Sequence, residues 1–173
     1  RNLLKQLNYP LAAPSANIST KISPVSKKDV KDEFGKKVKL ILDGGQSKIG
    51  VESTIINLIK KPQILRLGGI PKEDIKKYLN SHLAYIKKSK INSPGQETTH
   101  YSPHIRLRLN IKKPNRNEAF ILIKKRKKMN KNYFYLSKKN NLKEAAKNLY
   151  KTLRYIKKRK YKSIAVEKIP NKG

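Results

Sequence analysis

The chain has 173 residues, 36% of them hydrophobic, with 43 Lys and Arg against 11 Asp and Glu for a formal charge of +32. It has no cysteine, which excludes disulfides and thiolate zinc sites, and His82, His100 and His104 lack the spacing with carboxylates that a metal cage needs, so no metal site is expected. No stretch approaches the ~20 apolar residues of a membrane span and no basic-then-apolar leader opens the chain, so a soluble, cytoplasmic protein is expected.

In chain order, Asp29 to Phe34 is a short helix candidate. Residues 36–70 then alternate apolar runs with turn signals: KVKLILDGG, VESTIINLI and PQILRLGGI predict three strands, closed by Gly44–Gly45, Lys60–Pro62 and Gly68–Gly69. Pro71, with Glu73 and Asp74 close behind, starts a helix to about Leu79. Residues 84–104 lack periodicity and read as a linker of about twenty residues, a length that a compact protein uses as a tether or a lid.

A new pattern follows, with strands at 105–109, 119–123 and 133–136, a helix over 142–158 and a strand in SIAVEKI. Leu142, Ala145, Ala146, Leu149, Leu153 and Ile156 fall at helical spacing and mark the core face of that helix. Strand, helix, strand with such a crossover predicts a parallel βαβ unit, the start of a small doubly wound domain, though no glycine-rich turn marks a nucleotide site. The chain opens on Arg1 and stops soon after an apolar run, so it reads as a piece of a longer protein, divided as 1–83, 84–104 and 105–173.

Five motifs stand in order: YPLAAPSAN (9–17), ILDGG (41–45), ESTI (52–55), ILRLGG (64–69) and SPGQETTHYSP (93–103). Each places small or hydroxylated residues where an apolar run ends, as a chain does when its backbone approaches a ligand. Ser15 and Asn17, two apart on an extended backbone, share a side and can grip one ligand, or else bond the local backbone as a turn. Ser53 and Thr54 offer two hydroxyls, which a solvent-facing strand edge explains about as well. Arg66, between Leu65 and Leu67, needs an anionic or acceptor partner, either a carboxylate of the protein or a phosphate. Asp43 before two glycines reads as a tight turn, and no hydrolase triad is supported.

With Ser19, Ser23 and Pro24 following, these motifs resemble the threonylcarbamoyl-AMP synthases, the YrdC-like family, in its long form with an appended C-terminal domain. The resemblance is specific over about 3–104 and looser over 105–173. It implies an α/β fold: the C-terminal half of a YrdC-like twisted sheet domain, a linker, and the start of a small Rossmann-like domain. It also implies a cytosolic nucleotidyltransferase that joins L-threonine, bicarbonate or carbon dioxide, and ATP into threonylcarbamoyl-adenylate and pyrophosphate. That product passes to the tRNA threonylcarbamoyl transferase machinery, which modifies adenosine 37. By the resemblance, Ser15 and Ser53 contact threonine, while Asn17, Val25, Arg66 and Tyr101 contact ATP. No catalytic group is assigned, because positioning dominates such chemistry, and a requirement for Mg2+ is left open.

Three departures stand out. Thr20 replaces a usual glycine, Val25 replaces a nucleotide-contacting threonine so that its contact would be through the backbone, and the linker reads QET. The family's N-terminal half, with its lysine-x-arginine phosphate motif, is not in this chain, so the fragment alone is expected to be inactive. The charge is discounted: 35 of the basic residues are lysine, and Asn and Ile number 15 and 19, the bias of an A+T-rich coding sequence. A different class stays open, a non-catalytic basic RNA-binding module. Basic residues are not interleaved with aromatic stacking platforms, which speaks against it and leaves at most weak nonspecific RNA binding.

Overall fold

The computed structural model describes residues 2–59, 61–79, 82–85, 100–128 and 130–171. A single turn, α1 (Asn2–Lys5), leads through extended chain into α2 (Lys27–Phe34). This helix starts earlier than its apolar pattern suggests because Ser26 caps it. The Asp29 N–H donates to Ser26 Oγ at 3.3 Å, and Asp29 Oδ2 accepts from Ser26 Oγ and from the Val25 N–H, both at 3.0 Å. Gly35, at φ 54, ends the helix in the left-handed region, and a 3₁₀ turn follows over Gly35–Lys37.

The strand expected over 38–43 does not form. Its alternating apolar pattern is there, but a strand needs a neighbour to bond, and no described strand runs beside it. Leu40 and Leu42 remain 75% and 65% exposed. The next two strands do form, as β1 (Ile55–Asn57) and β2 (Gln63–Arg66), paired antiparallel with an irregularity between Ile55 and Ile56. Helix α3 (Lys72–Lys76) starts behind Pro71 with Glu73 and Asp74 in its first turn, and is shorter than the 71–79 expectation. Of the 84–104 segment, Ala84–Tyr85 is not linker but a short strand, β3, parallel to β2; residues 86–99 lie outside the described residues.

The second part is the expected parallel α/β unit. Strands β4 (Arg106–Arg108), β5 (Ala119–Lys124), β6 (Tyr133–Ser137) and β7 (Ser163–Val166) form one parallel sheet in the order β4-β7-β5-β6. Helix α4 (Leu142–Lys158) connects β6 to β7 and is capped by Asn141, whose side chain accepts from the Glu144 N–H at 3.0 Å. Successive β5 residues point to opposite faces. Ala119, Ile121 and Ile123 pack under α4 with Ala145, Leu153 and Ile156, while Phe120 and Leu122 join Ala165 on the other face. At the sheet's edge the buried Glu118 carboxylate takes two bonds from Arg108, at 3.0 and 2.6 Å, and one from the Asn115 N–H at 3.1 Å.

The two parts share a core. Ile22 and Val25, from before α2, lie in the same buried cluster as Ile121, Leu136 and Leu153. Arg154 of α4 pairs with Glu33 at 3.1 Å and donates to the Ile22 carbonyl, and Lys158 pairs with Asp32. Gly50, at φ +82, lets the α4 backbone settle on the 47–50 loop: a Cβ there would stand 2.4 Å from the Lys147 carbonyl oxygen.

Candidate functional site

The ESTI and ILRLGG motifs meet across β1 and β2. Arg66 opposes Ile55 in the pairing, which brings its guanidinium back over residue 53. Its Nε donates to the Ser53 carbonyl, Nη2 to Ser53 Oγ and Nη1 to Tyr101 Oη, each at 3.0 Å. The turn after β2 is held to the same segment. The Gly69 N–H donates to the Glu52 carbonyl at 2.8 Å, and Thr54 Oγ1 both donates to the Ile70 carbonyl at 2.7 Å and accepts its N–H at 3.2 Å. Gly68 is obligatory in this packing, since a Cβ would stand 2.3 to 2.4 Å from backbone atoms of residues 52–54. Thr54 is thereby taken up structurally, while the Ser53, Arg66 and Tyr101 side chains form one network.

Tyr101 lies a few residues before β4. The Ser102 N–H donates to the Thr20 carbonyl at 2.8 Å, and Lys21 and Ser102 form a parallel bridge. Both Thr20 (φ 68) and Tyr101 (φ 53) are in the left-handed region, so the Thr20 position has the backbone of a glycine. The Tyr101 ring meets His100 edge-on at 4.0 Å and stacks on Tyr150 of α4 at 6.0 Å. Burial and the Glu52 carboxylate push its phenol up, and Arg66 works against them.

Beside this network lies a cavity of about 540 Å³. Ser15, Ser23, Val25, Glu52, Lys48 and Tyr150 are among its walls, together with the irregular 41–48 stretch. Residues of the ILDGG motif line the cavity, with the Gly45 N–H bonded to Asp43 Oδ1 at 3.0 Å as the expected tight turn. Ser23 Oγ donates to Glu52 Oε1. Val25 is among the wall residues, but the backbone groups through which its contact was expected are engaged: its N–H goes to the Asp29 carboxylate and its carbonyl accepts the Ser47 N–H at 2.8 Å.

Ser15 lines the cavity and its carbonyl accepts the Asn17 N–H at 2.9 Å. Asn17 is not part of that lining. Its amide nitrogen donates to the carbonyls of Ile18 and Lys21, at 3.0 and 3.2 Å, while its Oδ1 is buried with no partner among the described residues. The turn reading therefore holds for its donor and leaves its acceptor open. Sequence reasoning missed Glu52 and Tyr150. Glu52 stood in a noted motif, but Tyr150 lies outside the motifs and off the apolar stripe read on the helix. Among the described residues, no group of three or more His, Asp and Glu could hold a metal ion, and no helix is long and apolar enough to cross a membrane.

A hydroxyl-lined cavity with the Arg66 network beside it, between an antiparallel ribbon and a parallel α/β sheet, defines a two-part α/β protein of the YrdC type. Residues 70–173 match the family model described as "Threonylcarbamoyl-AMP synthase, C-terminal domain", and residues 1–68 match Sua5_yciO_yrdC, described as "Telomere recombination". The chain belongs to the Sua5/YrdC-like threonylcarbamoyl-AMP synthase family. The threonylcarbamoyl-AMP synthase of Pyrococcus abyssi is 35% identical over 99% of this chain and 56% of its own length. That of Schizosaccharomyces pombe is 42% identical over 58% of this chain and 28% of its own. A crystal structure of P. abyssi Sua5 complexed with L-threonine superposes with a TM-score of 0.78 at 31% identity, covering 94% of this chain and 53% of that one. The chain thus spans about half the length of the P. abyssi relative, and less of the yeast one.

Proposed function

We propose that this chain serves, within its full-length protein, in an L-threonylcarbamoyladenylate synthase that joins L-threonine, bicarbonate or carbon dioxide, and ATP and releases pyrophosphate. The observation that carries the reading is the Ser53–Arg66–Tyr101 network, in which three separated motifs present hydroxyls and a guanidinium beside the cavity. The relative crystallised with L-threonine supports the choice of amino acid. In this reading Ser15 and Ser53 hold threonine, and Asn17, Val25, Arg66 and Tyr101 hold ATP. Arg66 spreads its donors over phosphate oxygens, the free Asn17 Oδ1 accepts from the nucleoside, and Val25 packs against it.

The work is positioning. A mixed anhydride is labile to water, and Tyr101, packed over Arg66, shields that end of the site. Mg2+ enters this reading only as the counter-ion of the nucleotide. The adenylate then goes to the tRNA threonylcarbamoyl transferase machinery, and the cytoplasm is the compartment implied.

The test is pyrophosphate release by the full-length protein given ATP, bicarbonate and L-threonine. Release that requires threonine, with a KM for threonine raised more than that for ATP in Ser15→Ala and Ser53→Ala, is the expected result. Release indifferent to threonine would sink the reading, and equal effects on both substrates would sink the partition.

A further inference from the structure

We infer that Tyr150, carried by α4 of the second part, is a ligand-contacting residue of this site, donating a hydrogen bond to an anionic oxygen of the bound substrate. The inference rests on the function proposed above and adds a residue from the appended unit to it. The oxygen is a carboxylate of the amino acid or a phosphate of the nucleotide; the chemistry is the same for both.

Four observations converge. Tyr150 is only 7% exposed, and the open space it meets is the cavity that Ser15, Ser23 and Glu52 also line. Its ring is fixed by stacking on Tyr101, yet its hydroxyl has no hydrogen-bond partner among the described residues. The hydroxyl is not among the buried polar atoms left without a partner, so it reaches the accessible space of the cavity, where an incoming acceptor can meet it. Burial and the nearby Glu52 and Tyr101 oxygens push the phenol well up, against Arg66, so the hydroxyl keeps its proton and has it to donate to an incoming acceptor.

The placement is built into the backbone. Gly50 admits α4 at Lys147, one turn before Tyr150, close enough that no side chain fits between them. The helix thus delivers the phenol into the wall of a cavity formed by the first part. Lys27 and Lys48 on the same wall outnumber Glu52, so the cavity favours a negatively charged oxygen. A neutral donor completes such a contact without adding a charge beside the carboxylate.

The experiment is Tyr150→Phe in the full-length protein, with calorimetric titration of L-threonine and of ATP separately and a thermal melt alongside. We expect about a tenfold or greater loss of affinity for one of the two ligands, with the melting temperature unchanged. Loss on the threonine arm identifies a carboxylate contact, and loss on the ATP arm a phosphate contact. Unchanged affinity on both arms overturns the inference while the synthase reading stands. A wild-type protein that binds neither ligand removes the synthase reading and this inference with it. Should the phenylalanine variant fail to fold, 3-fluorotyrosine at position 150 gives a second measurement: its fluorine resonance should move on saturation with the ligand, and an unmoved resonance with both ligands overturns the contact.

Discussion

Arg66 shows how one side chain ties three motifs together. It is held by Ser53 through two bonds and by Tyr101 through a third, so its planar fork is already oriented. Arg66→Ala in the full-length protein should weaken ATP binding by about 1.5–3 kcal/mol, the worth of a charge-assisted hydrogen bond, and leave the fold intact. Unfolding with unaltered nucleotide affinity would reassign the residue to a structural bridge. At Thr20 the effect runs through the backbone. A β-branched residue at φ 68 costs about 1–2 kcal/mol, and glycine relieves it while adding about 0.5–1 kcal/mol of unfolded-state entropy. Thr20→Gly should therefore stabilise the protein by up to about 1 kcal/mol, a rise of about 2–4 °C in Tm by calorimetry.

The elements were legible in the sequence where the pattern is local. Helix α4 and strands β5 and β6 came out close to their expected bounds, because a long apolar stripe and a β-rich run specify themselves. The 38–43 stretch carries the same kind of pattern but forms no strand, since pairing depends on a neighbour that no window of sequence contains. Ser15, Ser53 and Arg66 stand in motifs that a window of sequence contains, whereas Tyr150 reaches the cavity only through the tertiary seat that Gly50 makes for α4. That seat is testable: Gly50→Ala puts a Cβ 2.4 Å from the Lys147 carbonyl oxygen at a backbone angle of +82°, and should cost about 1–3 kcal/mol in denaturant unfolding. Between β4 and β5, the Arg108 guanidinium bonded to the Glu118 carboxyl holds it well below the usual carboxylate range, at about 2. A depressed carboxylate contributes stability above its unfolded pKa and loses it as pH falls through the folded one, so this pair should weaken between about pH 5 and pH 2. Glu118→Gln should be less stable than wild type at pH 7, with the gap closing near pH 2. A gap that does not change with pH would show that the ion pair contributes nothing to the acid response.

At the scale of the whole molecule, the division read from the sequence as 1–83 and 105–173 is a division of pattern more than of packing. Ile22 and Val25 belong to the cluster built on Ile121, Leu136 and Leu153, and the pairs Glu33–Arg154 and Asp32–Lys158 clasp α2 to α4. The first part nevertheless exposes Leu40, Leu42, Leu58, Ile59 and Leu67, more apolar surface than an isolated soluble unit tolerates well. The chain by itself should therefore enhance the fluorescence of an apolar dye more than the full-length protein does, mole for mole. The shared core has a further consequence. The two parts meet through packed side chains and ion pairs, so a protein expressed as two polypeptides divided between Tyr85 and His100 should reassemble as a complementing pair. Each fragment would then act as the template on which the other completes its fold.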